Sequence, residues 1–240
     1  MNTEHGEFIH TRKPCPDSKC GSSDACSIRA DNSAKCFSCN QNFKSYDRPF
    51  ISIATKPIQE PKETFLNSYT GGFNPLIDRK ISEATAKKYR VRSVLQGNKI
   101  IKHIYPYFNA NELVATVTRN VDTKLFFTDG NFEGTGLFGE NLFKGGGKYL
   151  TITEGECDAM AAYQMQGSKW ASVSIRGGVN NAVNHVRSSI EFVESFDNVV
   201  ICFDSDSQGR KAAREVARII SPNKAKLMSF PEGYKDANDM

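Results

Sequence analysis

No apolar run in this chain approaches the roughly eighteen residues that a membrane-spanning helix needs. Residues 1–13 likewise have no apolar stretch of the kind a secretory signal carries, so the sequence reads as intracellular, with no membrane partner. A working phosphate loop is missing too. Gly145-Gly146-Gly147-Lys148 has the look of one, but Leu142 stands where the loop needs its first glycine and Tyr149 where it needs a serine or threonine. The chain therefore shows no nucleotide-driven motor. No segment repeats, and neither sign of charge dominates: the net +4 leans only slightly toward polyanionic partners.

What is present is an ordinary globular composition, 24% charged and 39% apolar, enough for one large domain or two modest ones. The cysteines depart from the ordinary. There are seven, and four fall in two close pairs, Cys15 with Cys20 and Cys36 with Cys39, fifteen residues apart. In an intracellular chain such pairs point to a metal rather than to disulfides. Each pair can form a knuckle whose thiolates face one tetrahedral ion, and two knuckles close a Cys₄ site for Zn²⁺. The segment between them has few large apolar residues, Ile28 and Phe37 being the exceptions, so it needs such a staple to fold. Four thiolates leave no open coordination position, which makes this zinc structural. Cys26 reads as a bystander, or as a replacement for Cys15 should the wider first knuckle fail. His5 and His10 are spare ligands, and Cys157 and Cys202 read as small buried residues of a sheet.

Pro49, Pro57 and Pro61 punctuate a polar stretch over 45–63 and bias it toward extended backbone, as in a semi-rigid linker. Beyond it, Ser82 is placed to cap a helix running to about Arg90. Alternating β-branched runs over 99–108 and 113–119 predict antiparallel strands joined at Asn109-Ala110-Asn111. Asp129-Gly130 and the glycine run at 145–147 mark turns. From Tyr149 onward the pattern alternates: strands at 149–153, 170–175, 198–203 and 224–229, with helices at 158–166, about 180–193 and 207–220 between them. That alternation predicts an α/β fold with a mostly parallel sheet.

Parallel strands gather their chemistry at their carboxyl ends. Two of these strands end in acids, one in Glu154-Gly155 and the other in Asp204-Ser205-Asp206. Asp204 and Asp206 stand two apart and so share a face. Carboxylates converging in one crevice repel one another unless a divalent cation lies between them, and hard oxygen ligands favour Mg²⁺. Glu154 is either a ligand or, set back from the ion, a general base. Asp236 offers a further acid, and Asp158 either caps its helix or reaches the metal through water.

Between Leu76 and Lys102 there are eight basic residues against two acidic ones, a local +6. With Tyr89, Tyr105 and Tyr107 nearby, this reads equally as a groove for phosphates and bases or as a solvated face over core tyrosines. Arg210, Arg214 and Arg218, four apart, read as the solvated side of a helix.

Glu154-Gly155-Glu156-Cys157-Asp158 with Asp204-Ser205-Asp206 resembles the toprim motif, and the Cys₄ module ahead of it narrows the likeness. The combination is similar to the primase half of the T-seven-like phage primase–helicases over nearly the whole chain. Leu137-Phe138-Gly139, Gly209-Arg210-Lys211-Ala212 and Lys235-Asp236-Ala237-Asn238 support it in order and spacing. The resemblance implies a toprim-type mostly parallel sheet with an α+β N-terminal subdomain, preceded by a small zinc ribbon. It implies a template-recognition domain at 1–44, the linker at 45–63, the first part of an RNA polymerase domain at 64–147 and its toprim catalytic part at 148–240. The implied activity is RNA primer synthesis on single-stranded DNA from ribonucleoside triphosphates, with a toprim nuclease or a non-catalytic DNA-binding module as the alternatives. Glu154, Asp204 and Asp206 would be catalytic, with Asp204, Asp206 and Asp236 holding one or two Mg²⁺. Arg119 and Lys124 would meet nucleotide phosphates. A replicative helicase, fused beyond residue 240 or separate, and a replicative DNA polymerase would be partners, inside the host cytoplasm if the protein is phage-encoded. The chain departs from the family in three places. Val117 stands where a lysine is usual, the first knuckle is wider, and 32–35 differ where template bases would be read.

Overall fold

Residues 8–22, 25–46 and 68–240 are described by the computed structural model, so His5 and most of the expected linker at 45–63 lie outside them. The chain divides into two compact units, Met1–Glu60 and Pro61–Met240. In the first, β1 (Phe8–Lys13), β2 (Cys26–Arg29), β3 (Ala34–Cys36) and β4 (Asn42–Phe43) form an antiparallel sheet in sequence order. The β2–β3 turn is set by Asn32 in the left-handed region (φ 63°) and by Asp31, whose carboxylate accepts from the Ser33 amide. Its core is Cys15, Cys26, Ile28, Ala34, Cys36 and Tyr46. Among the described residues, one large aliphatic side chain and one tyrosine among thiols are too little to hold a fold by burial alone.

The second unit begins with α1 (Glu83–Lys88), whose cap is Ser82, accepting from the Thr85 amide as its sequence predicts. An antiparallel meander follows: β5 (Arg92–Gln96), β6 (Lys99–Asn109), β7 (Glu112–Asn120) and β8 (Phe126–Gly130), in that spatial order. Asp129 and Gly130, read from sequence as a turn, instead close β8. The parallel part is β9 (Gly147–Thr153), α2 (Glu156–Met165), β10 (Ala171–Ser174), α3 (Ala182–Ser188), α4 (Ile190–Glu194), β11 (Phe196–Cys202), α5 (Ser207–Ala217) and β12 (Ala225–Leu227). Its strand order is β10-β9-β11-β12, every pair parallel. Central strands covered on both faces become nearly continuous apolar runs, and Leu150, Ile152, Val173, Val199 and Ile201 are all buried in one core with Val186 and Val216. The helix expected over 180–193 is broken at Ser189. Ser188 Oγ bonds the His185 carbonyl and Ser189 Oγ bonds Glu140, so side chains compete with the helical ladder there.

The meander packs on α2. Tyr105 and Tyr107 are fully buried from β6; Tyr105 Oη lies 3.1 Å from Cys157 Sγ and Tyr107 donates to Glu156 at 2.8 Å. Tyr89, at the end of α1, donates to the Ser172 carbonyl and stacks on Phe138. These three tyrosines are core residues, which removes them from any base-binding groove. Arg210, Arg214 and Arg218 are exposed along α5, as their spacing predicts.

Candidate metal centres

In the first unit Cys15, Cys20, Cys36 and Cys39 bring their sulfurs within 4.8 Å of one another. Cys15 Sγ lies 3.8 Å from Cys39 Sγ, and Cys20 Sγ 3.9 Å from Cys36 Sγ. These are close to the edge, about 3.8 Å, of a tetrahedron with metal–sulfur bonds of about 2.3 Å. The wider first knuckle closes through a turn in which the Cys20 amide donates to the Asp17 carbonyl. Backbone amides of Cys39 and Ser38 aimed at the Cys36 sulfur hold its pKa down to about 7, whereas burial pushes Cys15 up to about 12. Four soft donors at this spacing fit zinc. Cys26 is buried in the same core outside the group of four.

The second centre lies where β9 and β11 end. They pair in parallel with Thr153 opposite Cys202, so Glu154 and Asp204 leave neighbouring strand ends. Thr153 Oγ1 donates to the Gly155 carbonyl and pins the turn. Glu154 is half-buried; burial first, then the Asp204 charge, raises its pKa to about 7. Its Oε2 is buried with no hydrogen-bond partner. Asp204 is raised chiefly by burial, against Lys235, whose Nζ lies 3.2 Å from Asp204 Oδ2. Asp206 caps α5 through the Gly209 amide at 2.8 Å. Gly209 is there for a reason of space: a Cβ would stand 2.3 Å from the Asp204 carbonyl oxygen.

Asp236 faces the same place. The Asn238 amide donates both to Asp236 Oδ1, at 3.0 Å, and to Asp158 Oδ1, at 3.1 Å. Asp158 makes no cap for α2. It is partly buried against Asp236 and Asp204, and desolvation followed by their charges takes its pKa to about 8. The sequence named Glu154, Asp204, Asp206 and Asp236, left Asp158 open, and quoted Lys235 and Asn238 without giving either a place in the site. The signal for both was the polar run at 234–239. Among the described residues only the four cysteines bring their donor atoms within 4.8 Å of one another. Arg79 closes the back of the site, donating to Asn238 Oδ1 and accepting from Asn238 Nδ2.

Of the two expected phosphate-binding cations, Lys124 is exposed in the β7–β8 turn, while Arg119 is buried, 3.3 Å from Asp78. Val117 lies in the core beside Tyr105, so its place belongs to packing.

A parallel sheet with buried central strands and acids at two strand ends has the Toprim-type fold, and residues 151–240 match the Toprim-like family. Over its whole length the chain is homologous to the primase part of phage primase–helicases. It is 29% identical over 247 residues to the DNA helicase/primase of Enterobacteria phage T3, covering all of this chain and 42% of that protein. It resembles the crystal structure of the primase fragment of the bacteriophage T7 primase-helicase protein, with TM-score 0.66 and 27% identity over 97% of this chain and 94% of that one. A second likeness is to a chain in a structure of the T7 lagging-strand DNA polymerase interacting with primase domains of two gp4 subunits bound to an RNA/DNA hybrid and dTTP. There the TM-score is 0.63 and the identity 29%, over 70% of this chain and 84% of that one. The chain therefore spans less than half the length of the phage T3 protein it matches.

Proposed function

We propose that this chain is a DNA primase, joining ribonucleotides into short RNA on a single-stranded DNA template. The observation that carries the reading is Glu154 Oε2, a buried oxygen with no hydrogen-bond partner near Asp204 and Asp206, with Asp158 and Asp236 in turn close to Asp204. A buried acceptor left empty among like charges is costly unless a cation or a substrate proton completes it. Asp204, Asp206 and Asp236 would hold Mg²⁺, which supplies charge stabilisation to the phosphates of the incoming nucleotide. Glu154 takes the proton of the primer 3′-hydroxyl: it sits beside Asp204 and Asp206 and is desolvated enough to remain a useful base near neutral pH. Lys235, bonded to Asp204, is free to turn to phosphate once a cation takes over that carboxylate.

Lys124 and Arg119 are the cations proposed for nucleotide phosphates. Arg119 would exchange the Asp78 carboxylate for a phosphate, an anion that suits the same guanidinium fork. The four cysteines would hold a structural Zn²⁺ and make a template-binding module of the first unit. The T7 relative, seen with the lagging-strand DNA polymerase and an RNA/DNA hybrid, supports a replicative polymerase and nucleic acid as partners. A replicative helicase, fused or separate, fits the T3 relative's double name, and the site of action would be inside the host cell.

The test is incubation with single-stranded DNA, ribonucleoside triphosphates and Mg²⁺. Short RNA is expected from the wild type and none from Asp204→Ala, with template binding nearly unchanged in the variant. DNA shortening instead of RNA would make the centre a nuclease, and binding without either product would make it a non-catalytic module.

A further inference from the structure

The meander ends in an edge strand that breaks the usual rule for edges. Leu125, Phe126 and Phe127 are consecutive and 57%, 57% and 59% exposed. β8 pairs on one side only, with β7. Edge strands are normally blunted by charge, proline or a cover, because an apolar edge invites aggregation. Here two phenyl rings and a leucine stand in solvent, on both faces of the strand, in a chain whose tyrosines at 89, 105 and 107 are all buried. Such a contiguous exposed apolar patch marks a binding surface.

The surroundings say what it binds. Phe126 lies directly opposite Arg119 on β7, and Phe127 opposite Thr118. Lys124, exposed in the turn, immediately precedes the patch, and Lys102, also exposed, shares the Phe127 face across the sheet. The nearby Asp122 is already taken by Lys99 at 2.6 Å; Asp129, exposed at the far end of the strand, is the one acid on β8 itself. Rings beside cations suit a single strand of nucleic acid, whose bases stack while its phosphates meet lysines. A protein strand added to the edge would have no use for the lysines.

A chain of bonds links the neighbouring strand to the acid centre. Arg119 opposite Phe126 bonds Asp78; the next residue, Arg79, bonds Asn238; and the Asn238 amide bonds Asp158. We propose that Phe126 and Phe127 form a stacking platform for unpaired bases of single-stranded DNA approaching the carboxylate site. This rests on reading the chain as an enzyme that copies a DNA template.

The experiment measures binding of the full chain to fluorescent oligothymidine of about ten nucleotides and to an abasic oligomer of equal length, by anisotropy. The double variant Phe126→Ala/Phe127→Ala should bind oligothymidine roughly ten- to hundredfold more weakly, with abasic binding unchanged and thermal unfolding unaltered. Phe126→Trp should restore binding, with its fluorescence quenched by thymine. Equal affinity of variant and wild type overturns the proposal, and so does an equal loss for both oligomers. It is also overturned if the wild type fails to bind oligothymidine, or if the substitutions change only the sedimentation of the protein, which would assign the edge to a second copy. Primer synthesis is read separately. A wild type that stacks thymines yet makes no RNA keeps the platform and removes the polymerase, whereas RNA synthesis with no effect at Phe126 or Phe127 does the reverse.

Discussion

At the level of single residues the acid centre was legible because its chemistry is local. Glu-Gly after one strand and Asp-Ser-Asp after another place carboxylates at strand ends whatever the details of the loops. Asp158 was harder, since in the first turn of a helix an aspartate caps as readily as it faces other acids, and only the fold brings it against Asp236. The role of Gly209 could not be read at all, being a matter of space: α5 starts against the Asp204 backbone, and no sequence pattern records a close approach. Substitution there should separate site geometry from site chemistry. Gly209→Ala keeps every carboxylate but drives a methyl against the Asp204 carbonyl, so the α5 start or the β11 end must shift. The expected result is a stability loss of about 1–3 kcal/mol and a lower affinity for Mg²⁺ in a titration. An alanine variant that bound Mg²⁺ as the wild type does would show that Asp204 is not held in place by this contact.

Among the elements, the strands of the strand–helix alternation were readable, the short β10 and β12 included, whereas two strands of the meander were not. β6, β7, β9 and β11 lie within a residue or two of their expected bounds, since each buries a regular set of side chains. β5 and β8 escaped notice. β5 is short and ends in exposed residues, and β8 is exposed along its whole length, so neither shows the contrast between faces on which periodicity depends. β6 also carries a residue whose partner no local pattern could supply. His103 is wholly buried, with Nε2 3.1 Å from Asp78 Oδ1 and Nδ1 3.2 Å from Tyr105 Oη. Burial lowers its pKa to about 4 from an ordinary 6.5, outweighing the pull of Asp78 in the other direction. A histidine kept neutral in the fold takes up a proton on unfolding, so its contribution is complete above about pH 6.5 and is lost as pH falls toward 4. The effect is at most about 3 kcal/mol. Glu154, Asp158 and Asp204, whose pKa values are raised, act with the opposite sign, so the measurement is the difference between wild type and His103→Gln in urea unfolding across pH 7.5 to 4. The wild type should lose stability faster than the variant over that window; parallel curves would mean that His103 is not held neutral.

For the whole molecule, the division into two units follows from how much each can bury. The second unit has one large aliphatic core and one rich in tyrosine and phenylalanine, so burial alone should hold it together. Among the described residues the first unit has Ile28, Tyr46 and a shell of thiols in its core, so its folding should draw on whatever the thiols bind. The cysteine spacing made this legible from sequence, whereas the depth of the difference between the two units appears only in their cores. Removing the metal, or one ligand by Cys36→Ser, should therefore unfold the first unit alone. Calorimetry is expected to lose a low-temperature transition while the main one keeps its midpoint, and the protein should release about one zinc to a chelator. Function should divide in the same way. Starting a primer on bare template should fail in Cys36→Ser, whereas extending a preformed oligonucleotide depends on the carboxylates and should survive. Should both activities fall together while the main transition stays in place, the first unit would be part of the polymerising machinery itself, and the separation argued from the two cores would not extend to chemistry.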